Sequence, residues 1–191
     1  MEKTSSKFDF ACRFATEKHS GQLRKGVKVP YIVHPYEVAQ ILRKNGADEA
    51  TIIAGVLHDT VEDTNTNLSE IKQYFGEEVA MIVDYCTEKK SLPYLERKFE
   101  HDQRIKSGPL KAKMVKCADC LSNLRSLYID AKNSNEIWKV FNASRQDVQK
   151  HYYWSILAFK ELEGMEMYEQ LKKYYYLTFH YLSQENEDEK E

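Results

Sequence analysis

Residues 51–64 read Thr51-Ile52-Ile53-Ala54-Gly55-Val56-Leu57-His58-Asp59-Thr60-Val61-Glu62-Asp63-Thr64, an apolar run that finishes in a histidine and three acids. If residues 49–60 are helical, Ile52, Ile53, Val56 and Leu57 bury a broad face. His58 and Asp59 then stand about 100° apart around the axis, near its C-terminal end. An ionised carboxylate beside a buried face is expensive unless it is paired or binds a metal. Both groups make sense if they project toward one cation, because imidazole nitrogen and carboxylate oxygen suit a divalent first-row metal. A helix end that simply reaches water is the alternative, and this stretch alone leaves it open.

Outward from this run the apolar residues keep a helical period. Phe8, Cys12 and Ala15 mark a first helix ending near Ser20-Gly21. Residues 21–33 break the pattern: Gly26, the alternating Val27 and Val29, and Pro30 predict a loop or short hairpin. His34-Pro35 opens a helix that stops at Asn45-Gly46, and Asp48 caps the next one. Asn67 with Glu70 reads as a capping box, Pro93 and Pro109 start two further helices, and the second of these runs through Leu127. Two long amphipathic segments, about 135–163 and 165–182, are dense in aromatics such as Trp138, Phe141, Tyr152, Tyr153 and Trp154. At helical spacing these aromatics are core that wraps the earlier helices, and leftover apolar surface there would support a homodimer. The prediction is an all-α helical bundle, one domain over 1–183, with one irregular or hairpin segment near 21–33. A charged disordered tail is expected at 184–191.

Composition narrows the functional classes. A chain of 191 residues can remove about 70% of its unfolded surface from water. A net charge of −2 offers no global field for nucleic acid or an anionic membrane. No apolar run approaches the ~20 residues of a membrane helix, and the N-terminus shows no secretory pattern. The irregular placement of Cys12, Cys86, Cys117 and Cys120 suggests thiols in the reducing cytoplasm. Cys117 and Cys120 form a lone Cys-x-x-Cys in a helical context, read as small apolar residues on one face.

Three further positions bear on the cation. His34 follows the apolar stretch PYIV at a helix start, where it would otherwise be a cap. Asp119 sits among Val115, Ala118, Leu121 and Leu124, where it would otherwise be a core carboxylate paired with Lys116 or Arg125. Two histidines and two aspartates on three helices form a plausible open metal site, with positions left for water and substrate.

These residues carry a resemblance. His34, the His58-Asp59 doublet and Asp119 match the metal ligands of the HD-domain phosphohydrolases. The segments HSGQLRKG, PYIVHPYEVA, TIIAGVLHDTVEDTNT, FGEEVAMIV, LERK and KCADCLSNLRSL are similar, in order, to the blocks of the RelA/SpoT-type hydrolases of guanosine tetraphosphate. They span about residues 8–128. Longer relatives continue into a synthetase domain, so the chain most resembles the stand-alone small alarmone hydrolases of the metazoan SpoT-homologue type.

The resemblance implies hydrolysis of the 3′-pyrophosphate from guanosine tetra- or pentaphosphate, releasing pyrophosphate. It implies one divalent cation held by His34, His58, Asp59 and Asp119. Manganese is the family's usual metal, and the ligand set also accepts zinc, iron or cobalt. Glu62 and Asp63 match the family's proton-transfer pair, a role suited to carboxylates just outside the metal's ligands. Arg24 and Lys25 match an Arg-Lys pair for a purine and a phosphate, and Asn123 matches a nucleotide-contacting asparagine. Tyr31 and Lys28 are weaker candidates. His19 is read as a structural helix-end residue, and His101, His151 and His180 as solvated.

The sequence departs from the family's pattern in three places. Cys120 and Ser122 stand where many relatives carry a basic residue and a histidine or tyrosine. Alignment on Trp154 puts Asp147 where stand-alone relatives have a phosphate-binding arginine, leaving Arg145 as its substitute only if the helix is shifted. Another nucleotide with an extra ribose phosphate, such as NADPH or an adenosine alarmone, is the alternative substrate. A non-catalytic nucleotide-binding module is the alternative class.

Overall fold

The structure is a computed structural model and describes residues 6–25, 28–133, 137–138 and 143–181. Among these, α1 (Lys7–Lys18), α2 (Val33–Lys44), α3 (Glu49–Leu57), α4 (Thr60–Asp63) and α5 (Leu68–Phe75) come first. They are followed by α6 (Glu77–Cys86), α7 (Tyr94–Ser107), α8 (Leu110–Asn133), α9 (Arg145–Ala158) and α10 (Glu166–Tyr176). The fold is an all-α bundle. Its sole strand-like feature among the described residues is an isolated antiparallel bridge, Leu23–Pro30, in the segment expected to be a hairpin. The Arg24 amide donates to Val29 O and the Tyr31 amide to Gln22 O, which brings Tyr31 back against the start of α2.

The chain-breaking signals act as read, except that the Asn67–Glu70 capping box is half formed, the Glu70 carboxylate pairing with Lys18 instead. Asp48 accepts from the Thr51 amide at the start of α3, and Asn67 from the Glu70 amide at the start of α5. Gly46, at φ +72°, turns the chain between α2 and α3. The centre of the bundle is α8, which packs against α2, α3, α6 and α10. From Ala112 to Ser122 every residue of α8 is buried, polar ones included, so its polar side chains must find partners inside. α2 and α3 approach unusually closely because residue 55 is glycine: a Cβ there would collide with Leu42 Cδ1 and press on Val38. That approach sets His34 near the start of one helix beside His58 at the end of the other.

Four expected boundaries shift. The helix expected over 49–60 breaks after Leu57, because side chains take its last carbonyls. His58 Nδ1 bonds Gly55 O at 2.8 Å and Thr60 Oγ1 donates to Leu57 O at 2.7 Å. The helix from Pro109 continues to Asn133, past Leu127. The long segment 135–163 is instead α9, started by a capping box. Ser144 accepts from the Asp147 amide, and the Asp147 carboxylate accepts from the Ser144 amide. α10 likewise ends at Tyr176, and a wider π-turn carries the chain to Tyr181. Phe141 and the expected tail at 184–191 lie outside the described residues.

Candidate metal centre and its cavity

His34 (α2), His58 and Asp59 (the α3–α4 junction) and Asp119 (α8) converge at the centre of the bundle. His34, His58 and Asp59 each offer an atom within 4.8 Å of the others', a cluster able to chelate a divalent cation. Asp59 Oδ2 lies 3.0 Å from His58 Nε2 and 3.6 Å from His34 Nε2. Asp119 Oδ1 lies 3.1 Å from His34 Nε2 and 3.8 Å from His58 Nε2. Each of the four groups has a further partner besides. His58 Nδ1 is on Gly55 O, His34 Nδ1 on Ser122 Oγ at 2.8 Å, and Asp119 Oδ2 is 2.8 Å from Lys116 Nζ. Asp59 Oδ2 accepts from the Tyr31 hydroxyl at 2.5 Å, and Asp119 Oδ1 from Asn123 Nδ2 at 2.6 Å.

The donor set fits a cation on this geometry. Both Nε2 atoms are buried with no hydrogen-bond partner, as are other histidine nitrogens of the bundle, but these two alone converge on the Asp59 and Asp119 carboxylates, a donor arrangement that a cation completes. The electrostatics agree. Burial pulls the His58 imidazole down, but the Asp59 and Asp119 carboxylates outweigh it and carry it up to about 10. Burial keeps His34 below its ordinary value despite Asp119. Burial also works against the charge on Asp119, yet Lys116 and the two imidazoles hold it well below the carboxylate range. A metal-free site of this kind takes up a proton where a cation would otherwise sit.

The site opens into a cavity of about 630 Å³, the size of a small-molecule pocket. Glu62 and Asp63 line it, on the short α4 that continues from Asp59. Glu62 Oε2 accepts from the Glu88 amide at 2.9 Å. Lys90 Nζ reaches Asp63 Oδ1 at 2.5 Å and Glu62 O at 2.9 Å. Burial raises the Glu62 carboxyl, Lys116 opposes that, and Glu88 and Asp59 add to it. The cavity wall also carries cations: Arg24, Lys25, Lys90, Arg97, Lys98 and Lys116. Arg24 Nη2 donates to Asn123 Oδ1 at 3.0 Å, so two residues 99 apart in sequence meet at the rim.

Several expectations need correction. Arg145 is not on this wall: it stacks over Trp138 at 5.2 Å and faces the Thr178 and Phe179 carbonyls at 3.4 Å. Asp147 does not line the cavity either, because its carboxylate caps α9. His101 and His151 are buried, not solvated, where α7, α8 and α9 meet. His151 and Cys120 contribute to the cavity lining. His19 is the buried helix-end residue expected, bonded to Gln22 Oε1 at 2.8 Å. Cys117 and Cys120 are free and buried, where burial pushes both thiols up. Tyr31 matters more than its weak reading suggested. The signal was its place one turn before His34, in a segment that folds back on α2.

Comparison with known proteins gives this geometry its context. Residues 11–149 match the HD domain family model. The guanosine-3′,5′-bis(diphosphate) 3′-pyrophosphohydrolase MESH1 of Xenopus tropicalis is 44% identical, over 81% of this chain and 83% of that protein. The human protein of the same name is 41% identical over the same shares. A solved structure of a metazoan orthologue of SpoT, described as hydrolysing ppGpp, superposes with a TM-score of 0.74 at 28% identity. It covers 90% of this chain and 94% of that one. The chain belongs to the HD-domain family of metal-dependent hydrolases, as a homologue of the MESH1 and SpoT-like alarmone hydrolases.

Proposed function

We propose that this chain hydrolyses the 3′-pyrophosphate of guanosine tetra- and pentaphosphate, releasing pyrophosphate and GDP or GTP, with a manganese ion held by His34, His58, Asp59 and Asp119. The observation that carries the reading is the pair of unpartnered Nε2 atoms aimed at two carboxylates beside the cavity that Glu62 and Asp63 line. When bound, a divalent cation there acidifies water and polarises a phosphoryl oxygen.

The chain's own residues do the rest. Arg24 stacks on the purine, and Lys25 neutralises phosphate with the other cations of the wall. Asn123 joins Arg24 to Asp119, tying the nucleotide end of the cavity to the ligand set. Glu62, with its carboxyl raised by burial, takes the proton of the attacking water as the new P–O bond forms. The bond from phosphorus to the 3′-oxygen breaks, and Asp63 with Glu62 returns a proton to that oxygen. The described helices act as one hydrolase unit. The four free thiols suit a reducing, cytoplasmic setting.

The test is a manganese-supplemented panel of guanosine tetraphosphate, an adenosine alarmone and NADPH, read by the products. Pyrophosphate from guanosine tetraphosphate is the expected result. Orthophosphate alone, released only from NADPH, overturns the substrate. Glu62→Gln with Asp63→Asn should keep metal and nucleotide binding while turnover falls by orders of magnitude. Turnover that survives this change removes the two carboxylates from the mechanism.

A further inference from the structure

The two imidazoles of the metal centre are held in different ways. His58 Nδ1 faces the Gly55 carbonyl, which only accepts, so that ring must carry its proton on Nδ1 when neutral and present a lone pair on Nε2. His34 Nδ1 faces the Ser122 hydroxyl at 2.8 Å, a group that can donate or accept, so this contact alone leaves the tautomer undetermined. The next atom settles it. Ser122 Oγ has one proton and gives it to Glu37 Oε2 at 2.7 Å, so its oxygen is left to accept from His34 Nδ1.

We propose that Glu37 and Ser122 form a positioning relay, carboxylate to hydroxyl to imidazole, that holds His34 as the Nδ1–H tautomer with the Nε2 lone pair facing the cation position. The proposal rests on the metal-centre reading above and assigns the outer partners of one of its ligands. Ser122 is fully buried, and the other polar neighbour of its hydroxyl is Glu37. Arg125 Nη1 lies 3.5 Å from Glu37 Oε1, which supports Glu37 as a charged acceptor. Neither Glu37 nor Ser122 lines the substrate cavity, so substrate contact does not explain them. Glu37 borders two smaller cavities, one of which also reaches His34 and shares Arg24, Ser126 and Asp130 with the substrate cavity. The serine that departs from the family's pattern thus bridges a carboxylate to a metal-site imidazole. Outer partners of this kind alter metal affinity about 10–100-fold when removed.

The test has two readouts that need no turnover. In the full chain labelled with ¹⁵N-histidine and stripped of metal, two-bond ¹H–¹⁵N spectra should show neutral His34 protonated on Nδ1. In Ser122→Ala the Nε2–H form should appear. Manganese titration by calorimetry should give an affinity for Ser122→Ala at least about tenfold weaker, with Glu37→Ala shifting the same way by less. Circular dichroism melts of the metal-free variants check that they fold. A wild-type His34 protonated on Nε2, or a folded Ser122→Ala with unchanged manganese affinity, overturns the relay. If Ser122→Ala fails to fold, Glu37→Ala decides, because that side chain is partly exposed, and unchanged tautomer and affinity there overturn the relay too. A wild type that binds no manganese defeats the metal-centre reading, while the tautomer spectrum still decides the relay separately.

Discussion

Two buried clusters of histidines and acids flank Lys116, and they behave in opposite ways. In the first, His34, His58, Asp59 and Asp119 face one another, and the carboxylates carry His58 up to about 10 against the cost of burial. In the second, under α9, burial leads and the nearby Lys116 adds to it, driving His101 down to about 3. His151 is pushed well below its ordinary value by burial and by Lys98. The difference lies in how each acid is neutralised. Glu88 of the second cluster is already met by Arg97 Nε at 2.9 Å and Lys98 Nζ at 2.5 Å, with Lys116 at 3.9 Å. The first cluster has two acids and a share of one lysine, which leaves negative charge for a cation to balance. Similar residue types therefore give a chelating site in one place and, in the other, part of the polar wall of the same cavity, where Glu88 is already paired.

The largest expected effect separates the two directly. His58→Ala should abolish measurable manganese binding and reduce turnover by orders of magnitude, because it removes a ligand that nothing replaces. His101→Phe, in the second cluster, should leave manganese affinity unchanged. Calorimetric titration of both variants checks this, and a comparable loss in His101→Phe would show that the clusters are not distinct.

Lys116 belongs to both clusters, so its removal sharpens the comparison. Lys116→Met leaves the buried Asp119 without its 2.8 Å cation, while Glu88 keeps Arg97 and Lys98, and breaking such a buried pair costs about 3–5 kcal/mol. Urea melts of the metal-free protein should show that loss. Added manganese should recover more stability in the variant than in the wild type, since it balances the charge left on Asp119. Equal losses with and without manganese would assign Lys116 to the second cluster alone.

The first cluster was legible in the sequence, the second was not, and the reason is physical. His58-Asp59 ends an apolar run and Asp119 interrupts another, so each is a polar residue where period alone requires an apolar one. His101 sits between Glu100 and Asp102, and His151 follows Lys150, so both looked solvated. Their burial comes from α9 lying over α7, a tertiary contact that no local pattern announces. The same limit hid the start of α9. The aromatic run suggested a longer helix, whereas Ser144 with Asp147 was the readable signal, a capping box with Asp in place of Glu or Gln. The relay to His34 was out of reach for a related reason. Glu37 and Ser122 are 85 residues apart and meet where α2 packs on α8, a tertiary contact.

Asp102 gives the second cluster a pH signature. Burial raises its carboxyl to about 7, against the hydrogen bond from Ser155 and the nearby lysines, while the unfolded chain titrates near 3.8. Between those values the folded protein holds a proton that the unfolded chain has released. This contribution to stability is full below about 3.8 and is lost as pH rises through about 7. The span is on the order of 2–4 kcal/mol. Asp102→Asn removes the titration and keeps an oxygen for Ser155. Its stability relative to wild type should therefore improve by that amount between pH 4 and pH 8, measured by urea melts. A constant difference across that range would mean that Asp102 is not held neutral.

The smallest effect concerns an acid outside both clusters. If Asp147 faced a polyphosphate, its charge would repel substrate, and Asp147→Ala would lower KM. The structure instead sets its carboxylate on the Ser144 amide at the start of α9, behind the lining residues Tyr94 and Val148 rather than among them. There its removal costs only the reciprocal half of a capping box, about 0.5–1 kcal/mol. Thermal melts should register that loss, while KM for guanosine tetraphosphate and manganese affinity stay where they were. A lower KM with unchanged stability would instead place Asp147 against the nucleotide, and the arginine missing from the family's position would then need a replacement other than the cations already on the cavity wall.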